Sequence, residues 1–401
     1  MKKQIAIYGA IDRFNYGDLL FAIILYEMFK EVKGYSIDYY ALCNSDLQSL
    51  GGKPTRSIQD LFAKDNLKDG SIAIVAGGEV LGATWFKLHR YILPHHLSFP
   101  LRVASKLLNS NILDYISRKT FHSRLKLPFV ISPDDFHTDV NVVYNAVGGS
   151  SLYFNSSRIR KHVLTKLHKA SHLSVRDKDS IKLLSKDSSV KVYLKPDSAC
   201  LMSELFPLNK LKTMISQETH DIIDQFKPGY LCFQVSDDHA RDHINTIVEQ
   251  LNIISQKTGL AILLLPIGRA AGHEDQKPLN KIKQRLKVPC ILPSENSVFD
   301  IMTLIAKAKV FAGTSLHGCI TAMSFAVPYI GLTFQVPKLQ AYLQTWAMTE
   351  LSFCRPYSML GNSVEAALTI PKDKLKSLSD NYIKESKEDF FQIKKTLGME
   401  I

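Results

Sequence analysis

K-V-F-A-G-T-S-L-H-G-C-I-T-A-M-S-F-A-V-P-Y-I-G-L, Lys309 to Leu332, is the stretch from which the fold can be read. Val310–Ala312 is a short apolar strand, Gly313-Thr314-Ser315 a loop, and Leu316–Phe325 a helix of small and apolar residues. Val327–Leu332 is a second buried strand running through Pro328. Strand, tight turn, buried helix and strand make half of a Rossmann-like unit. The pattern puts His317 in the first turn of a buried helix, at the carboxyl edge of a parallel sheet. Open α/β sheets bind ligands at that edge, and a helix start presents N–H groups and partial positive charge to an anion. Gly313 and Gly318 would let a ligand approach the backbone closely. The same pattern also fits an ordinary βα turn with a packed core histidine.

The flanking sequence repeats the alternation. Gln4–Gly9 is a strand, and Ala10–Tyr16 leads into a helix from about Asp18 to Glu31. Asn15, Gly17 and Asp18 form the strand-to-helix turn, where capping of the helix start explains them as well as ligand contact does. The strand Ser71–Val75 ends in Ala76-Gly77-Gly78-Glu79-Val80-Leu81-Gly82. This turn lacks the Gly-Lys-Ser/Thr of a P-loop and the GxGxxG spacing of a dinucleotide site. Glu79 is either an acceptor for hydroxyls or a solvated loop charge. Val140–Val147 is a strand followed by Gly148-Gly149-Ser150-Ser151, a third glycine-rich turn. The strand His172–Val175 ends at Arg176-Asp177. An Arg there suits a two-pronged grip on phosphate or carboxylate, or a pair with Asp177 or another loop acid.

A second βα series starts at Tyr230–Val235, and Leu260–Pro266 precedes the loop Gly268-Arg269-Ala270-Ala271-Gly272-His273-Glu274-Asp275. Arg269 and His273 suit anion contact; adjacent loop residues are a poor basis for a metal site. The expected organisation is residues 1–205 as one Rossmann-like domain, 206–228 as a linker, 229–365 as a second domain and 366–401 as a helical tail. Residues 85–126 stand apart, with eight Lys/Arg against one acid, Asp114. Leu101, Ala104, Leu108, Ile112 and Tyr115 recur there at helical spacing, with Arg102 and Lys106 off that face. The segment is either a helical insertion packed on the first domain or a basic amphipathic surface for an anionic membrane.

The 401 residues exceed one comfortable core, and 45% hydrophobic with 22% charged residues is the composition of a soluble globular protein. A net charge of +12 and a pI near 9.2 favour anionic partners. No zinc spacing, RNA-binding aromatic signature or basic tail points to nucleic acid. The six cysteines are scattered without a CxxC pair, which favours free thiols in a reducing cytoplasm. No run approaches the roughly 20 apolar residues of a membrane span.

The Ser315-Leu316-His317-Gly318 motif, its small-residue helix and Val327-Pro328-Tyr329-Ile330 resemble the signature of the polysaccharide pyruvyltransferase family. Phe14-Asn15-Tyr16-Gly17-Asp18, Ser174-Val175-Arg176-Asp177 with Ser180, and Lys195-Pro196-Asp197 agree in the same order. The position often occupied by Arg before Leu-His is Ser315 here. The resemblance implies α/β architecture with two Rossmann-like domains facing a cleft, a GT-B-like arrangement. It further implies phosphoenolpyruvate as donor substrate and a sugar or lipid-linked oligosaccharide as acceptor, with pyruvate ketal and phosphate as products; the residues themselves suggest no cofactor and no metal site. His317 would be the acid/base group or a phosphate contact, and Arg176 with Gly313, Thr314, Ser315 and Gly318 would hold the donor, backed by Arg269 and His273. Asn15, Asp18 and Glu79 would grip or deprotonate the acceptor, Asp18 counting with His317 and Arg176 among the catalytic residues, and Gly17, Gly77, Gly78 and Ser150 would also line the substrate site. The expected location is the cytoplasm, peripheral at the membrane through 85–126. A nucleotide-sugar glycosyltransferase or epimerase, or a non-catalytic sugar-binding protein of polysaccharide assembly, would share the fold.

Overall fold

A computed structural model describes residues 2–92, 109–185, 190–226, 229–269 and 274–400. The chain divides into two compact units. Residues 1–14, 18–198 and 386–401 form the first, and 15–17 with 199–385 form the second. Each is built on its own sheet.

In the first unit seven parallel strands run in the order β3-β2-β1-β4-β5-β6-β7. They are β1 (Lys3–Tyr8), β2 (Tyr35–Ala41), β3 (Arg56–Ser57), β4 (Ser71–Ala76), β5 (Val140–Val147), β6 (His172–Val175) and β7 (Tyr193–Leu194). All of β4 and nearly all of β5 are buried, as expected of parallel strands covered on both faces. Helix α1 (Tyr16–Phe29) follows β1 and is apolar almost all round. Further helices are α2 (Ile58–Leu61), α3 (Trp85–Ile92), α4 (Ser110–Thr120), α5 (Ser157–Leu167) and α6 (Lys178–Leu184).

Large aromatics fill the core with their polar tips satisfied. Tyr8 Oη donates to the Pro128 carbonyl at 2.6 Å, Tyr144 Oη to Ile131 at 2.7 Å, and Trp85 Nε1 to Leu125 at 3.1 Å. The chain end closes this unit. Asp389, buried, accepts from His172 Nε2 at 2.8 Å, Ser174 Oγ at 2.6 Å and Asn145 Nδ2 at 3.1 Å.

In the second unit five parallel strands run in the order β10-β9-β8-β11-β12. They are β8 (Tyr230–Gln234), β9 (Ala261–Leu264), β10 (Cys290–Ile291), β11 (Val310–Gly313) and β12 (Tyr329–Gly331). The helices are α7 (Met202–Leu205), α8 (Leu208–Leu211), α9 (Gln217–Gln225), α10 (Asp237–Ala240), α11 (Ile244–Thr258), α12 (Gln276–Lys283), α13 (Val298–Ala306), α14 (Leu316–Ser324), α15 (Pro337–Trp346), α16 (Leu360–Leu368) and α17 (Lys372–Thr396). Strand, turn, helix and strand from 310 to 331 fall where the quoted stretch places them.

Two expectations are refined by the structure. Residues 206–226, within the expected linker, are folded, with Phe206, Leu211, Ile222 and Phe226 buried in the second unit on α8, α9 and their flanks. The tail is not a separate element: α17 belongs to the second unit up to Glu385 and to the first from Ser386. Between β8 and β9 the chain forms two helices, α10 and α11. The expected amphipathic stretch from Leu101 to Leu108 lies outside the described residues. No helix among the described residues is long and apolar enough to cross a membrane.

Candidate functional site

Parallel strands deliver all their following loops to one edge, so each sheet gathers chemistry at its carboxyl edge. In the second unit that edge is organised by a neutral side chain. Gln234, the last residue of β8, is buried. Its Oε1 accepts from the amides of Thr314 at 3.0 Å and Ser315 at 2.9 Å, and from Thr314 Oγ1 at 3.3 Å. Its Nε2 donates to Asp275 Oδ2 at 2.9 Å, an oxygen that also accepts from the Ile267 and Gly268 amides, each at 2.9 Å. One carboxamide and one carboxyl thus pin the loops after β9 and β11 to the end of β8.

Ser315 is the N-cap of α14, its Oγ accepting from the Gly318 amide at 3.2 Å. Where the family often carries Arg, this chain therefore has a cap. His317 follows in the first turn, partly exposed. It lies against Gly17, where a Cβ would come within 1.9 Å of His317 Nδ1. Only glycine fits there. Tyr16 Oη and Thr321 Oγ1 are 2.8 Å apart, and Thr321 Oγ1 donates to the His317 carbonyl at 2.7 Å. Asn15 forms an antiparallel bridge with Gly268. Asn15–Gly17, carried from β1, are thereby part of the second unit's edge.

Partly buried Arg269 donates through Nη2 to the Asn296 carbonyl at 3.0 Å. His273 lies outside the described residues. Gly313 and Gly318 have a packing reason to be glycine that the sequence did not suggest: a Cβ at either position would strike the Phe311 ring, at 2.9 and 2.3 Å. Both glycines make room for that ring from inside. Asp275 is spent on the two amides and Gln234, and among the described residues no group of three His, Cys, Asp or Glu side chains is placed to hold a metal.

The first unit's edge is ionic. Arg176 is 1% exposed, with Nη1 donating to buried Asp197 Oδ2 at 2.9 Å and Nη2 standing 3.4 Å from Glu79 Oε2. Glu79 Oε1 accepts from the Ser151 amide at 2.7 Å and Ser150 Oγ at 3.2 Å. A Cβ on Gly148 would meet Glu79 and Arg176, and one on Gly77 the Phe21 ring. Gly78 has φ +81°, a conformation that favours glycine. Asp177 caps α6, accepting from the Ser180 amide at 2.7 Å. Burial raises the Asp177 carboxyl pKa, against the pull of that amide and of Arg176. Asp18 sits in the first turn of α1, close to Gly78.

Of the two expectations for Arg176, the structure shows the pairing with acids, here Asp197 and Glu79, and Glu79 is largely buried and bonded rather than a solvated loop charge. Sequence gave no signal for Gln234. Asp275 was visible only as a neighbour of His273, since its partners are brought to it by the sheet.

Two consequences are measurable. Removing one partner of a buried ion pair leaves uncompensated charge, so Arg176→Ala should lose about 3–5 kcal/mol in denaturant unfolding; unchanged stability would contradict this hub. Burial pushes the Asp275 carboxyl from 3.8 up to about 7, against the opposing pull of its amide bonds. With the folded value raised, its stabilising contribution is complete below about pH 3.8 and is lost as pH rises through about 7. Asp275→Asn keeps an oxygen for the three donors without the charge. Its melting temperature relative to the parent should therefore climb between pH 5 and pH 8; a pH-independent difference would contradict the assignment.

The sequence matches the family model described as polysaccharide pyruvyl transferase over residues 15–335. No curated protein matches the sequence. Among solved structures the chain is similar to the UDP-GlcNAc 2-epimerase of Methanocaldococcus jannaschii in complex with UDP-GlcNAc and UDP. That match has 11% identity and TM-score 0.55, over 92% of this chain and 94% of that one. It is also similar to MnaA of S. aureus with UDP, at 12% identity and TM-score 0.54, over 99% and 97%. The epimerase of Neisseria meningitidis bound to UDP-GlcNAc gives 13% identity and TM-score 0.50, over 98% and 99%. At these identities the likeness establishes the fold, two Rossmann-like units of GT-B type. With its motifs spread from Asn15 to Ile330 and the family model matching residues 15–335, the chain belongs to the polysaccharide pyruvyl transferase family.

Proposed function

We propose that this chain transfers pyruvate from phosphoenolpyruvate to two neighbouring hydroxyls of a polysaccharide sugar or of its lipid-linked precursor. The observation that carries the reading is the start of α14: His317 in its first turn, against Gly17, with the preceding amides fixed by Gln234. A helix start favours anions, and phosphoenolpyruvate brings phosphate and carboxylate together.

The reaction balances without a redox partner. A proton adds to the vinyl CH2 carbon, which becomes methyl, and positive charge develops at the carbon bearing phosphate. One sugar hydroxyl adds there and gives up its proton. The carbon–oxygen bond to phosphate breaks, the second hydroxyl closes the ring, and its proton is released. Of the two protons released, one replaces the proton taken up and the other leaves on phosphate. His317 holds and moves the proton delivered to the vinyl carbon. Arg269 and the start of α14 hold the anionic donor. Asn15 and Asp18 contact acceptor hydroxyls, while Arg176 and Glu79 fix the Gly148–Ser151 turn. A lipid-linked acceptor would bring the reaction to the cytoplasmic face of the membrane.

His317→Ala should lower kcat for phosphate release from phosphoenolpyruvate in the presence of acceptor by about 10²–10⁴. The donor KM should change little and melting should be unaltered. Near-parental turnover would contradict the assignment. A higher donor KM with kcat retained would reduce His317 to a phosphate contact.

A further inference from the structure

Helix α4 presents an apolar face to solvent. Ile112, Tyr115 and Ile116 are 51%, 53% and 51% exposed and lie at the i, i+3, i+4 spacing that puts them on one face. The opposite face is already satisfied. Leu113 and Ser117 are buried, Ser117 Oγ is 3.1 Å from His89 Nδ1, and Asp114 Oδ1 accepts from the Phe86 amide at 2.9 Å. Hydrophobic side chains half out of water on an ordered helix mark a surface for another body.

The charges around this face select its partner. The Arg118 guanidinium and the Lys119 ammonium lie 5.4 and 5.7 Å from the Tyr115 ring centroid. Lys87 on α3 is a further exposed cation of the same segment. The segment's one acid, Asp114, is occupied with the start of α3. Asp114 lies near Arg118, but no second acid occurs in residues 85–126, so pairing of this face with itself in a second copy would set cations largely against cations.

The geometry points to an anionic phospholipid surface as the partner of α4. Ile112 and Ile116 would enter the boundary between headgroups and acyl chains, Tyr115 would sit at headgroup level, and Arg118 and Lys119 would meet lipid phosphates. An interfacial helix combines an apolar face, flanking Lys/Arg and an amphipathic ring in this way. Each cation near such a surface contributes about fivefold in affinity. The surface stands whether or not phosphoenolpyruvate is the donor, since its test involves no turnover.

The test is co-sedimentation of the full chain with vesicles of phosphatidylcholine alone and of phosphatidylcholine mixed with phosphatidylglycerol. The parent should bind the mixed vesicles at low salt, release as salt rises, and ignore the neutral ones. The triple variant Ile112→Ser, Tyr115→Ser, Ile116→Ser and the double variant Arg118→Glu, Lys119→Glu should each lose more than about tenfold in binding with unchanged melting. Absent parental binding, or a triple variant that binds like the parent, would overturn the proposal. So would a triple variant that melts several degrees lower, because the face would then be covered by the protein itself. Parental self-association abolished by the triple variant, without vesicle binding, would assign the face to a second copy.

Discussion

The carboxamide of Gln234 is the constraint on which the second unit's edge depends. A parallel sheet sends the turns after β8, β9 and β11 to the same edge, each with backbone amides that find no partner in the ladder. Gln234 Oε1 takes two successive amides and a hydroxyl from the turn before α14, and its Nε2 passes the restraint to Asp275 and the loop after β9. Gly268, held by Asp275, bridges Asn15. The position of His317 is therefore the sum of contacts from four separate segments. A carboxamide suits this place because it carries donor and acceptor on one planar group and has no charge to desolvate.

The first unit meets the same demand with charge. Arg176 sits among Asp197, Glu79 and Asp177, and the far oxygen of Glu79 fixes the Ser150–Ser151 turn. Such a hub is expensive to desolvate and costlier to break, which favours a single arrangement of its loops. Through Glu79, Arg176 is tied to the shape of the turn after β5.

Much of the fold was legible because buried parallel strands write themselves as apolar runs. β5 and β6 fall on the residues their sequence suggests, and the turn Gly313–Ser315 leads into α14 as read. The segment after Leu205 was misread because its short helices bury only one residue in several, too sparse for a clear period. The site was legible in its local parts alone. His317 follows from its place in a βα turn, and Gly17 from its place before a helix. That Gly17 is shaped by His317, and that Gln234 and Asp275 join distant loops, arises from pairs 300, 80 and 41 residues apart. Gly313 and Gly318 show the limit well: their sequence suggested ligand access, and the need for space beside the Phe311 ring appears only in the fold.

Binding of phosphoenolpyruvate at this edge can be read from thermal stabilisation of the purified protein, with phosphoenolpyruvate and UDP-GlcNAc compared side by side. A ligand that binds only the folded state raises the melting temperature by about RT ln(1 + [L]/Kd) of free energy. The account predicts a rise with phosphoenolpyruvate that is lost when Arg269 is changed to Ala, and none with UDP-GlcNAc. A rise with UDP-GlcNAc alone would contradict it and place the chain with nucleotide-sugar enzymes in function as well as in fold.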